Sequence, residues 1–135
     1  MTVSTSDILT SIKNIVVALS NIGGYIQSLY NNVVNTSLFT GPAATTNTTL
    51  YTASTSASSH INTINICNTA STSATFSISV VPASGSGVAI FSNCSIPANT
   101  TTLWTGVLVV PAGGSIQGSA SAATVTFLIS GGTST

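Results

Sequence analysis

A chain of 135 residues suffices for one domain and a short appendage, and this one holds a single lysine, a single aspartate and a single histidine, with no arginine or glutamate. Asp7 and Lys13 are its only full charges and cancel to a formal net charge of zero, whereas about a quarter of an ordinary soluble domain is charged. Phosphate and nucleic-acid recognition, which needs clustered Lys and Arg to replace counterions, is thereby excluded, and general acid–base chemistry is left with His60, Cys67 and Cys94 beside Asp7.

Neither an enzymatic activity nor a cofactor is expected from such an inventory. Ser and Thr, roughly a third of the chain, supply the hydration that charge normally provides. A free monomer with an uncharged surface tends to associate. A subunit fixed in a large assembly needs no long-range repulsion, and outside the cell it gains a surface indifferent to salt. Met1 to Thr10 lacks the basic and apolar regions of a secretory leader, so none is expected. No membrane span is expected either, because the longest unbroken apolar run of the N-terminal segment, Ile15 to Leu19, falls far short of about 20 residues.

From Asp7 to about Val34 the apolar residues Ile8, Ile12, Ile15, Leu19, Ile22, Ile26, Leu29 and Val33 follow one another at alternating spacings of 4 and 3. This heptad ladder predicts a helix of about 40 Å whose seam faces a partner along its length. Ile12, Leu19, Ile26 and Val33 take position a, and Ile8, Ile15, Ile22 and Leu29 take position d. Isoleucine at both a and d favours three or more strands over two, and Leu9, Val16 and Tyr30 at e widen the stripe in the same sense. A homotrimer is expected, with residues 1–40 as the oligomerisation or anchoring segment. The competing reading folds the stripe back onto the chain's own β domain. Ser4 or Ser6 can cap the first turn, and Asp7 sits where the helix dipole favours an anion. Gly23 and Gly24 weaken the middle by about 1 kcal/mol each and mark a kink or a close backbone approach.

Gly41-Pro42 breaks the helix, and residues 41–59 read as a Ser/Thr-rich linker with a first short strand at Leu50 to Ala53. Beyond it the period becomes two. Strands are predicted at His60 to Cys67, Ala74 to Val81, Val88 to Phe91, Thr101 to Val110, Ser115 to Ala120 and Thr124 to Ser130, with turns between them. Phe76, Ile78 and Val80 alternate with Thr75, Ser77 and Ser79, as one buried and one wet face require. Residues 60–135 are thus expected to form a mainly β domain, an antiparallel sandwich of jelly-roll or immunoglobulin-like type.

Few residues carry chemistry. Cys67 and Cys94 are read as thiols more readily than as a disulfide, given two cysteines and no leader. The N-x-S/T sequons at Asn35, Asn47, Asn93 and Asn99 follow from composition. His60 admits three readings: a base toward Ser58 or Ser59, one ligand of a metal on a three-fold axis, or a strand-edge side chain bonded to backbone. The last is adopted, because no carboxylate stands near to orient the ring, and no catalytic or metal residue is assigned. Trp104 and Tyr51, with Phe91, are the candidate flat platform for a sugar. The competing reading places Trp104 in the core or at a subunit interface.

The runs Ile64-Asn65-Ile66-Cys67-Asn68-Thr69, Thr75-Phe76-Ser77-Ile78-Ser79-Val80-Val81-Pro82, Phe91-Ser92-Asn93 and Ile96-Pro97-Ala98-Asn99-Thr100-Thr101 resemble small β domains in virion proteins of tailed bacteriophages. Gly114-Ser115-Ile116 and the closing stretch from Val125 to Gly131 fit the same pattern, so the resemblance covers about two-thirds of the chain. The helical start is similar to the attachment segments of phage fibre or head-appendage proteins. The resemblance implies a structural virion component, commonly trimeric: a head fibre, capsid decoration or tail appendage docked on capsid, portal or tail proteins. It supplies no catalytic residues. Recognition of a host surface glycan by the β knob is the alternative from another functional class.

Overall fold

The computed structural model describes residues 2–31 and 35–133, with side chains up to residue 26 in the first stretch. Two units are distinguished, Met1–Val33 and Val34–Thr135.

The first unit is one helix, α1, Thr5–Asn31. Ser4 caps it: its hydroxyl accepts from the Asp7 amide at 3.1 Å and donates to Asp7 Oδ2 at 2.7 Å, while its carbonyl accepts from the Ile8 amide at 3.2 Å. The cap and the third helical residue thus hold each other, and the carboxylate lies in the first turn where the dipole favours it. The helix runs through Gly23 and Gly24, at neither of which would an added Cβ meet another atom within 4 Å. Of the predicted ladder, Val33 and the Leu29 side chain lie outside the described residues, as does the Tyr30 side chain.

Among its described residues the second unit contains eight strands: β1 Thr36–Pro42, β2 Thr48–Thr52, β3 Ser59–Asn68, β4 Ala74–Val81, β5 Val88–Ile96, β6 Thr100–Val110, β7 Ser115–Ala120 and β8 Val125–Thr133. They form two antiparallel four-stranded sheets, ordered β1-β8-β3-β6 and β2-β7-β4-β5. Along the chain, β4 pairs with β5, β3 with β6, β2 with β7 and β1 with β8. The polypeptide is therefore one long hairpin rolled over on itself, which is the jelly roll and sets aside the immunoglobulin-like alternative.

Two differences from the sequence reading stand out. Residues 36–42, assigned to the helical segment and the break after it, are strand β1, so the sandwich begins before the expected linker and not at residue 60. β1 is an edge strand ending at Pro42, where a missing amide hydrogen interrupts no ladder, so the Gly-Pro pair that signals a break is compatible with a strand here. β5 continues past Phe91 to Ile96, through a register shift and Asn93 at φ 47°. The predicted period is disturbed there because an irregular ladder no longer alternates by two.

The core lies between the sheets. Ile61, Ile64 and Ile66 of β3 and Val125, Phe127 and Ile129 of β8 meet Phe76 and Ile78 of β4 and Ile116 of β7, all buried. Phe76 lies 5.5 Å from Phe91 and 6.3 Å from Phe127 between ring centroids, tilted against both, as aromatic quadrupoles prefer. At one end of the sandwich the fully buried Asn68 ties three loops together. Its Nδ2 donates to the Thr72 carbonyl at 2.8 Å and the Pro97 carbonyl at 3.1 Å, and its Oδ1 accepts from the Ala70 amide at 3.1 Å and the Thr124 hydroxyl at 3.5 Å.

Candidate functional site

No concentration of titratable groups marks a reaction centre: among the described residues, no group of three His, Cys, Asp or Glu side chains is gathered. Cys67 and Cys94 are free thiols on strands of different sheets. His60 stands on the outward face of β3, between Val109 and Gly132 of the flanking strands. No helix among the described residues is long and apolar enough to cross a membrane.

The predicted sugar platform is not assembled. Tyr51 lies on β2 and Trp104 on β6, edge strands of different sheets at opposite margins of the sandwich. Both are half-buried and packed against the core. Tyr51 shares a 2.7 Å hydrogen bond with the buried Ser59 hydroxyl. Trp104 faces inward opposite Ile64, and its indole lies over Gly106, where an added Cβ would come within 2.7 Å of Cζ2. Each aromatic ring packs against the margin of the core.

Exposed apolar surface takes the place of a pocket. On α1, Ile8, Ile12, Ile15, Leu19, Ile22 and Ile26 are 49 to 61% exposed in the single chain, and Leu9 and Val16 beside them are exposed as well. The stripe is continuous along the described part of α1, unlike the scattered single apolar residues that any protein surface carries.

The two outer faces of the sandwich differ in chemistry. On the β2-β7-β4-β5 sheet a shallow depression of about 210 Å³ is lined by Thr45, Thr75, Ser77, Asn93, Ser119 and Ser121. Two of its hydroxyls accept from backbone amides: Ser121 from the Thr75 amide at 2.9 Å, and Ser77 from the Asn93 amide at 2.9 Å. On the β1-β8-β3-β6 sheet the register aligns Thr40, Leu128, Asn65 and Leu103 in one row and Pro42, Thr126, Cys67 and Thr101 in the next. A groove of about 290 Å³, mostly apolar, opens there among Thr40, Pro42, Asn65, Cys67, Thr126 and Leu128. Leu128, Leu103, Val107 and Val109 are exposed on that side. The buried Asn65 Oδ1 has no hydrogen-bond partner among the described residues.

Sequence reasoning missed this second surface. The β6 run Leu-Trp-Thr-Gly-Val-Leu-Val-Val is apolar on both faces, and such a run by itself cannot be told from a strand buried in the core. Comparison with known protein families, with curated proteins and with solved structures returned no match.

Proposed function

We propose that this chain is a non-enzymatic structural protein of a phage virion, a head fibre, decoration or short appendage that assembles as a homotrimer through α1 and presents the sandwich as its knob. The observation that carries this reading is the exposed isoleucine ladder of α1. Six a and d side chains, Ile8 to Ile26, stand half in water in the single chain, and each isoleucine taken fully out of water contributes about 1.5–3 kcal/mol. Isoleucine at both seam positions favours three strands or more.

Two further observations support it. After Lys13 the chain has neither a carboxylate side chain nor a permanent cation, an inventory suited to packing against neighbours and poor in catalytic groups. The jelly roll recurs among viral capsid domains, and also among lectins and cupins, so the fold adds weight by analogy alone.

Light scattering on the full chain and on Ile22→Asp tests the reading. Three carboxylates at a shared seam are incompatible with its burial. The native chain is expected at the mass of three copies and the variant at the mass of one. A variant that stays trimeric removes α1 as the assembly element.

The second reading, recognition of a neutral host glycan, is favoured by the hydroxyl- and amide-lined depression around Ser77, Asn93 and Ser119 and not by Trp104 or Tyr51. Binding on a glycan array that is lost in Ser77→Val while the trimer persists would establish it. Uniform silence across the array would dismiss it.

A further inference from the structure

β1 and β6 border one sheet, and β2 and β5 border the other. In each pairing of these strands with an interior neighbour, the edge strand holds more residues than the strand it faces. On β1 the surplus residue is Leu38, since Ser37 pairs with Ser130 and Phe39 with Ile129. On β2 it is Leu50, since Thr49 pairs with Gln117 and Tyr51 with Ile116. On β6, Gly106 and Val107 stand against Asn62 alone. On β5, Ser92 and Asn93 stand against Ser77, and Ile90 is a second surplus residue. The interior pair β4 and β7 has no such shift, and between β3 and β8 the surplus is Asn62 of β3. We infer that the surplus residues close the four edges to strand addition, so that all of them stay unpaired when copies of the chain associate.

An edge strand offers a row of unpaired amides and carbonyls to any second strand, and proteins ordinarily blunt it with charge, proline or a bulge. Charge is not at hand, because Asp7 and Lys13 both belong to α1. Pro42 of β1 is the one proline on an edge strand. The hazard is nevertheless large. β6 reads Thr-Thr-Thr-Leu-Trp-Thr-Gly-Val-Leu-Val-Val, uncharged and rich in strand formers, the composition that pairs between chains most readily. A bulge answers it with backbone alone. It bends the strand and raises the local twist, and it breaks the two-residue alternation in which outward donors and acceptors must meet an antiparallel partner.

β5 shows how such a bulge is held. Asn93 takes φ 47°, and its amide donates to the Ser77 hydroxyl at 2.9 Å. The bulged amide is thus satisfied by a side chain of the neighbouring strand and needs no partner from outside. Asparagine tolerates this left-handed conformation, whereas a β-branched residue resists it. Between the interruptions the regular runs are short. The longest, Thr100–Thr105 of β6, has six residues, about the length of an ordinary strand, so β6 is the edge on which a partner strand would first find room. None of this depends on whether α1 assembles the chain.

Amide hydrogen exchange resolved by NMR is followed on the full chain at low and high protein concentration, and on Ile22→Asp. Alternate amides of Thr100–Thr105, those turned away from β3, are expected to exchange within about tenfold of the rate of an unstructured chain, at every concentration and in both proteins. Slowing of these amides by about a hundredfold or more in the native chain, with or without the same slowing in Ile22→Asp, means that β6 pairs with another copy and overturns the inference. Asn93→Val and Asn93→Gly test the bulge itself. Valine is expected to straighten β5, so that the mass in light scattering climbs with concentration, and glycine, which keeps the left-handed conformation, to leave the mass as in the native chain. An Asn93→Val chain that folds and keeps the native mass overturns the role given to the bulge. One that does not fold leaves the decision to the exchange rates of the native chain.

Discussion

Asn68 shows how much of the fold depends on one amide. It has no exposed surface, and its bonds reach Thr72, Pro97, Ala70 and Thr124 on three loops. Asn68→Ala should cost about 3 kcal/mol in urea unfolding, because loop carbonyls and an amide lose their partner without gaining water. Asn68→Asp should cost more, since it sets a carboxylate oxygen against the Thr72 and Pro97 carbonyls. An aspartate variant as stable as the native chain would show that the loops close without this donor. The sequence reading ends its strand at Cys67, one residue short of Asn68, which closes β3, and an asparagine at a strand end reads the same whether its side chain points to water or inward. Asn99 is the more legible case: in Pro97-Ala98-Asn99 it takes φ 50°, the left-handed conformation asparagine tolerates better than most residues. Two glycines were not legible at all. An added Cβ at Gly131 would run into the His60 carbonyl of the neighbouring strand, so Gly131→Ala should destabilise by about 3 kcal/mol. At Gly106 it would displace the Trp104 indole, and Gly106→Ala should shift tryptophan fluorescence toward that of a more exposed ring. Unchanged emission would mean that the indole does not rest on this glycine.

Among the elements, the helix and strand β4 were legible because each has an unbroken period. Ile8 to Ile26 repeats at 3.5 residues, and Phe76, Ile78 and Val80 at two, and in both the apolar face is set by geometry without reference to the rest of the chain. β4 and β7 accordingly have the predicted ends. β1 failed for the opposite reason: an edge strand that buries little, with Thr, Ser, Gly and Pro in seven residues, has too few core side chains to show a period. Only pairing with β8, at the far end of the sandwich sequence, defines it. The glycine pair of α1 yields a prediction at this scale. Gly24 falls at heptad position f, facing away from the seam, and an added Cβ there meets nothing within 4 Å. Gly24→Ala should therefore stabilise α1 by about 1 kcal/mol, read as a higher melting temperature of its helical circular dichroism signal. A lower melting temperature would place another backbone against that position, as the sequence alone also allowed.

For the whole molecule, the consequence of carrying two charges is that cohesion and association must come from apolar contact and neutral hydrogen bonds. Charged pairs between exposed groups weaken within a Debye length of about 10 Å at 0.1 M salt and 3 Å at 1 M. Burial of isoleucine, leucine and valine does not weaken in this way, and sulfate strengthens it by exclusion from the surface. Asp7 is held by its own cap, at 2.7 Å from the Ser4 hydroxyl, so even this carboxylate is spent within its own helix. The assembled mass is accordingly expected to stay constant from about 0.05 to 1 M sodium chloride, and the unfolding midpoint should rise in sodium sulfate. Sedimentation across that salt series is the check. Dissociation at high sodium chloride would mean that Asp7 and Lys13 hold the copies together across subunits, which would move the decisive contact from the isoleucine seam to the first three turns of α1.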